Sequence, residues 1–221
     1  MNKSITNGVF VLVQLCAVLL MLSGCQSTYY KTMEAFGYHK RDLLVDRVED
    51  ARDAQQDAKE QFQTALEKFS AVMNFSGGEL EQKYKQLNTE LERSESRAKS
   101  VRKHIGDVED VSNALFKEWE SELSQYTNDK LRRASELKLE ETRQRYAQLI
   151  DVMKRAETKI EPVLAAFRDQ VLFLKHNLNA QAIASLHDEL ASVEADIGLL
   201  IKEMEASITE ADAFIKAMSN E

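Results

Sequence analysis

Turn formers are scarce in this sequence, with one proline, Pro162, and seven glycines in 221 residues. Charged residues make up 30% of the chain, and Ala, Glu, Lys, Gln and Leu recur throughout, which is the composition of long helices. No stretch alternates with period two between turn residues, so no sheet is expected. Cysteine is nearly absent too. Cys16 lies in an N-terminal apolar run and Cys25 directly follows it, which leaves no thiol for a disulfide, a redox pair or a thiolate metal site. His39, His104, His176 and His187 are far apart, and no Glu stands three residues before any of them, as a di-iron carboxylate bundle requires. A zincin motif, a Gly-x-Ser-x-Gly elbow and a glycine-rich phosphate loop are all missing. The chain therefore reads as a non-enzyme, with no cofactor, no metal and no catalytic residue.

Positive charge is also in short supply. Against 37 Asp and Glu stand 29 Lys and Arg, a net of −8, which argues against nucleic acid as a partner because phosphates are bound through clustered cations. Long apolar runs are limited to Gly8 through Leu22, shorter than the roughly 20 residues that span a bilayer. Behind the single cation Lys3, that run has the layout of a signal peptide. It ends in Leu22-Ser23-Gly24-Cys25, which resembles the lipobox of bacterial lipoproteins. The resemblance implies that residues 1–24 are removed and that Cys25 carries the lipid that attaches the chain to a membrane. In organisms that sort lipoproteins by the next residue, Gln26 in place of Asp implies the outer membrane, facing the periplasm.

Residues 25–39 are expected to form a tether and a short N-terminal helix. Gln26, Ser27 and Thr28 reach only about 10 Å. Tyr29, Tyr30, Met33 and Phe36 follow and stop at Gly37. Two readings remain for this aromatic piece: a plug for the end of a bundle, or a seat at the lipid boundary.

From residue 40 onward the pattern is heptad-like, with helices expected over about 40–73, 79–126, 129–178 and 180–218. On the first, Leu44, Val48, Ala51, Gln55, Ala58, Phe62, Ala65, Phe69 and Val72 share one face, and the alanines would allow close approach of a neighbour. On its other side Asp42, Asp46, Asp50, Asp53 and Asp57 align, with Arg47 and Arg52 spaced to offset Asp50 and Glu49. This stripe is either a solvated face, or a docking face for a basic partner or a weak seat for divalent cations. Its carboxylates do not converge as a tight calcium site requires.

Ser76-Gly77-Gly78-Glu79 reads as a capping box and Thr127-Asn128-Asp129 as a turn. The second helix carries Leu80, Tyr84, Leu87, Leu91, Ser94, Ala98, Val101 and Ile105 in register, continuing to Trp119 and Tyr126. The third carries a stripe through Met153, Ile160, Leu164 and Phe167 and a parallel one through Leu149, Ala156 and Val163, so it should touch two neighbours. Pro162 falls inside that pattern without shifting it, which reads as a kink rather than an end. Asn177 and Asn179 mark the last boundary, and Leu186, Val193, Ile197, Leu200, Met204, Ala211 and Phe214 hold the fourth helix. The fold class expected is all-α, an elongated antiparallel up-and-down helical bundle with coiled-coil packing.

The run His39-Lys40-Arg41-Asp42-Leu43-Leu44-Val45-Asp46-Arg47-Val48-Glu49-Asp50-Ala51-Arg52-Asp53-Ala54-Gln55-Gln56 resembles the leading segment of an uncharacterised proteobacterial lipoprotein family, the domain of unknown function 2959. His176-Asn177-Leu178-Asn179-Ala180 and the heptads behind it are similar to that family's closing segment. The resemblance implies a helical lipoprotein without an assigned activity.

The function expected is a membrane-anchored helical scaffold that binds a protein partner in the cell envelope. The alternative is a carrier or sensor holding an apolar ligand among soft residues such as Met153, Met204 and Phe167. Oligomers through exposed heptad faces are a third possibility.

Overall fold

A computed structural model describes residues 39–73, 80–177 and 180–219. The chain divides into two units, Met1–Leu43 and Leu44–Glu221. Of the first, His39 and the opening turn of a helix are described, where the Leu43 N–H donates to the His39 carbonyl at 3.1 Å. Cys25, the aromatic piece at 29–36 and the capping box at 76–79 lie outside the described residues.

Four helices follow, α1 (Lys40–Met73), α2 (Leu80–Leu123), α3 (Asp129–His176) and α4 (Ala180–Ser219). The fold is all-α, a bundle of helices packed against one another. On α1, the nine residues from Leu44 to Val72 that share a face are all buried. Stretches of 44 and 48 residues in α2 and α3 give rods of about 66 and 72 Å.

Side-chain pairs fix the directions. Between α2 and α3, Glu95 meets Arg168, Arg102 meets Glu161, and Glu120 meets Arg143. Numbers rise on one helix as they fall on the other, so the two are antiparallel. Arg52 to Asp212 and Lys59 to Glu205 show the same for α1 and α4, Asp57 to Arg97 and Glu90 to Gln61 for α1 and α2. The Phe69 and Phe167 rings meet edge to face at 6.2 Å, joining α1 to α3 across the interior. This is an up-and-down four-helix arrangement, as short connections demand.

Three details differ from the sequence reading. The alanines of α1 are buried, yet close backbone approaches are concentrated between α2 and α3 and between α3 and α4. Next, α2 stops at Leu123 instead of 126, because the Gln125 N–H donates to the Glu122 carbonyl in a tight turn at 2.9 Å. Asn128 then caps α3, its side-chain oxygen accepting from Lys130 and Leu131 N–H. Lastly, α3 stops at His176 rather than 178, where the Asn177 N–H donates back to the Leu174 carbonyl. The helix runs through Pro162 without ending there.

Toward the α2–α3 turn the core thins. Trp119 Nε1 donates to Ser135 Oγ at 2.7 Å, and Phe116 packs edge-on against Tyr146 with Arg143 over its ring. Beyond these contacts Tyr126, Leu131 and Leu137 are exposed.

Candidate functional site

Because the apolar face of α1 turns inward, its aspartates turn outward. Asp42, Asp46, Asp53 and Asp57 are exposed and Asp50 is half-buried. Cations from α1 itself and from α2 meet this face. Arg47 donates to Asp50 at 2.8 Å, one turn away on the same helix. Arg52 donates to Asp53 at 2.9 Å and reaches Asp212 of α4 at 3.0 Å. Arg97 of α2 donates to Asp57 at 2.7 Å.

The Asp53 hydrogen bond, followed by the one to Asp212, raises the Arg52 guanidinium above its ordinary pKa despite partial burial. Sequence spacing suggested that Arg52 would serve Glu49; the structure sends it instead to Asp53 and to a neighbouring helix that spacing along α1 cannot reveal. Much of the stripe's negative charge is thus matched internally, and Asp42 and Asp46 mark the part of it nearest the start of the helix. Exposed ion pairs of this kind contribute about 0–1 kcal/mol each, so they shape the surface more than they hold the fold.

A second electrostatic feature lies on the α2 side of α3. Glu95, Arg102 and Glu109 stand seven residues apart on α2 and face Arg168, Glu161 and Lys154, also seven apart on α3. Acid meets base at each level, as in the flanking positions of a coiled coil. Hydrogen bonding from Arg102 holds the Glu161 carboxyl below its usual pKa, and hydrogen bonding to Glu95 raises that of Arg168. Lys154 is raised in the same way by its bond to Glu109.

Glu90 was not singled out from its spacing, yet it is buried on α2. Gln61 of α1 donates to it at 2.9 Å and Arg93 at 3.1 Å. The signal that could have found it is Arg93, one turn on, able to neutralise a carboxylate folded against the bundle.

Among the described residues no cluster of three or more His, Cys, Asp and Glu is placed to hold a metal ion. No helix among them is long and apolar enough to cross a membrane.

The geometry defines a class: a charged antiparallel helical bundle offering an acidic outer face. The chain belongs to the family described as Protein of unknown function (DUF2959), which matches residues 29–218. No curated protein matches it.

Proposed function

We propose that this protein is a lipid-anchored scaffold of the bacterial cell envelope, held through Cys25 at the outer membrane and facing the periplasm, and that it works by binding another envelope protein rather than by catalysis. The observation that carries this reading is the filled interior. Met153, Ile160, Leu164, Ile197, Leu200 and Met204 are buried together with the face of α1. A void beside Phe69, Leu87 and Phe167 measures only about 10 Å³, about the room one water needs. A bundle packed in this way offers its partners a surface rather than a chamber, which favours the scaffold over the apolar carrier. The exposed acids at Asp42 and Asp46, continuing to Asp53 and Asp57, suit a basic partner surface, and the layout ending at Cys25 supports the anchor.

Two measurements on cells test it. Feeding radiolabelled palmitate should label the native chain but not Cys25→Ala, and the variant should leave the membrane fraction. A photocrosslinker placed at Asp46 should capture a defined protein, and this product should vanish when Asp42, Asp50 and Asp53 are all changed to Asn. A native chain that takes up no label overturns the anchor. Crosslinks unchanged by the triple substitution overturn the docking face.

A further inference from the structure

The α4 side of α3 departs from the pattern on its α2 side. Arg155 of α3 meets Glu203 of α4 at 3.8 Å, and the next positions should repeat that pairing. Seven and fourteen residues along α3 come Pro162 and Asp169; the same steps back along α4 give Asp196 and Glu189. Where the register calls for acid against base, it puts Asp196 opposite a proline and Glu189 opposite another carboxylate.

At this place the two helices leave a groove of about 520 Å³, lined by Asp169, Glu189 and Asp196 together with Phe173, Val193 and Gln170. Among the described residues no cation pairs with the three acids. Like charges across a helix seam repel, and a cleft lined by one sign of charge concentrates counter-ions.

Gln170 adds an independent sign of a missing ligand. Its side chain is only 8% exposed, it lines the groove, and its Oε1 accepts no hydrogen bond. Leaving a buried amide oxygen unpaired is costly, and the residue that carries it lines the groove.

We propose that the groove between α3 and α4 binds a linear polyamine. Three features select this class of ligand. The acids are not gathered about a point that could hold a metal ion, so the matching positive charge must be spread out. Glu189 and Asp196 are separated by about 10.5 Å of helix rise, comparable with the extended length of a short triamine. Between them Val193 offers an apolar wall for methylene groups, and Phe173 an aromatic one for an ammonium. The ligand's N–H groups bond the carboxylates, with one to spare for Gln170 Oε1.

The test is isothermal titration calorimetry of the full-length protein in detergent with spermidine. Saturable one-to-one binding is expected. Glu189→Gln and Asp196→Asn should each weaken it at least about tenfold, the loss of one charge-assisted hydrogen bond, whereas Glu92→Gln on α2 should leave it unchanged. Magnesium chloride at matched ionic strength should not displace the amine. Circular dichroism of each variant checks that it stays helical, and neutralising repelling acids gives no reason for it to unfold. Non-saturable heats from the native chain, displacement by magnesium, or native affinity in the combined Glu189→Gln/Asp196→Asn variant would each overturn the proposal.

Discussion

The two sides of α3 solve the same packing problem in opposite ways. Toward α2, Arg168, Glu161 and Lys154 each find an opposite charge at steps of seven. Toward α4, Arg155 meets Glu203, but among the described residues no cation pairs with Asp169, Glu189 or Asp196, where the seam opens into a groove. Beneath both lies one apolar interior, so hydrophobic burial accounts for the bundle and not for the difference. What distinguishes the sides is charge at the flanking positions, and selection for stability alone would be expected to pair them. A seam left unmatched beside a matched one points to something the groove receives.

The interior common to both sides is the place to expect the largest effect. Phe167→Ala removes a buried ring that meets Phe69 and should cost about 3–5 kcal/mol in urea unfolding. A loss under 1 kcal/mol would mean that α1 and α3 do not share a core.

The interior also has an unmatched group of its own. Gln55 is fully buried with neither amide atom hydrogen-bonded, and so is the Ser207 hydroxyl. Both lie between the Arg52–Asp212 and Lys59–Glu205 pairs that clip α1 to α4. Gln55→Leu should therefore raise stability by about 1–2 kcal/mol. Destabilisation instead would show that the amide is satisfied in solution, by water or by Ser207.

Smaller effects separate the two seams directly. Arg102→Glu would set a third carboxylate beside Glu157 and Glu161 and should cost about 1 kcal/mol at low salt, fading as the Debye length shrinks from about 10 Å at 0.1 M to about 3 Å at 1 M. Acid acts on the same seam. Glu161 has a depressed pKa in the folded state, so its contribution is present above the ordinary carboxylate pKa and is lost as pH falls through the lower, folded value. Thermal midpoints should therefore decline modestly between about pH 5 and pH 3, and Arg102→Gln should flatten that decline. An unaltered profile in the variant would mean that the pair contributes nothing.

The sequence was most informative where a helix has a single buried face. On α1 the step of three and four picked out Leu44 to Val72, including the improbable Gln55, because a stripe facing one core needs no knowledge of its neighbours. On the longer helices it blurred. Tyr126 keeps the heptad spacing yet is exposed, since α2 ends before it, and Leu137 is exposed near the α2–α3 turn, while Phe116, Val111 and Glu90 are buried off the main register. Periodicity gives the direction of a stripe but not how many neighbours cover it.

The candidate site was legible only in part. The outward aspartates followed from the inward apolar row, but Arg97 and Asp212, which engage this face from α2 and α4, depend on register between helices. The groove has a trace in the sequence: Glu189, Asp196 and Glu203 recur at sevens on α4, an acidic ridge whose neighbour depends on how α3 lies beside it.

Unfolding of the ligand-free protein tests the contrast between the two seams most directly. If the groove acids repel one another across α3 and α4, the double variant Asp169→Asn/Glu189→Gln should melt above the native chain at low salt, with the gain shrinking as salt is added. A variant that melts below the native chain would contradict the account, because the two carboxylates would then be holding the seam together.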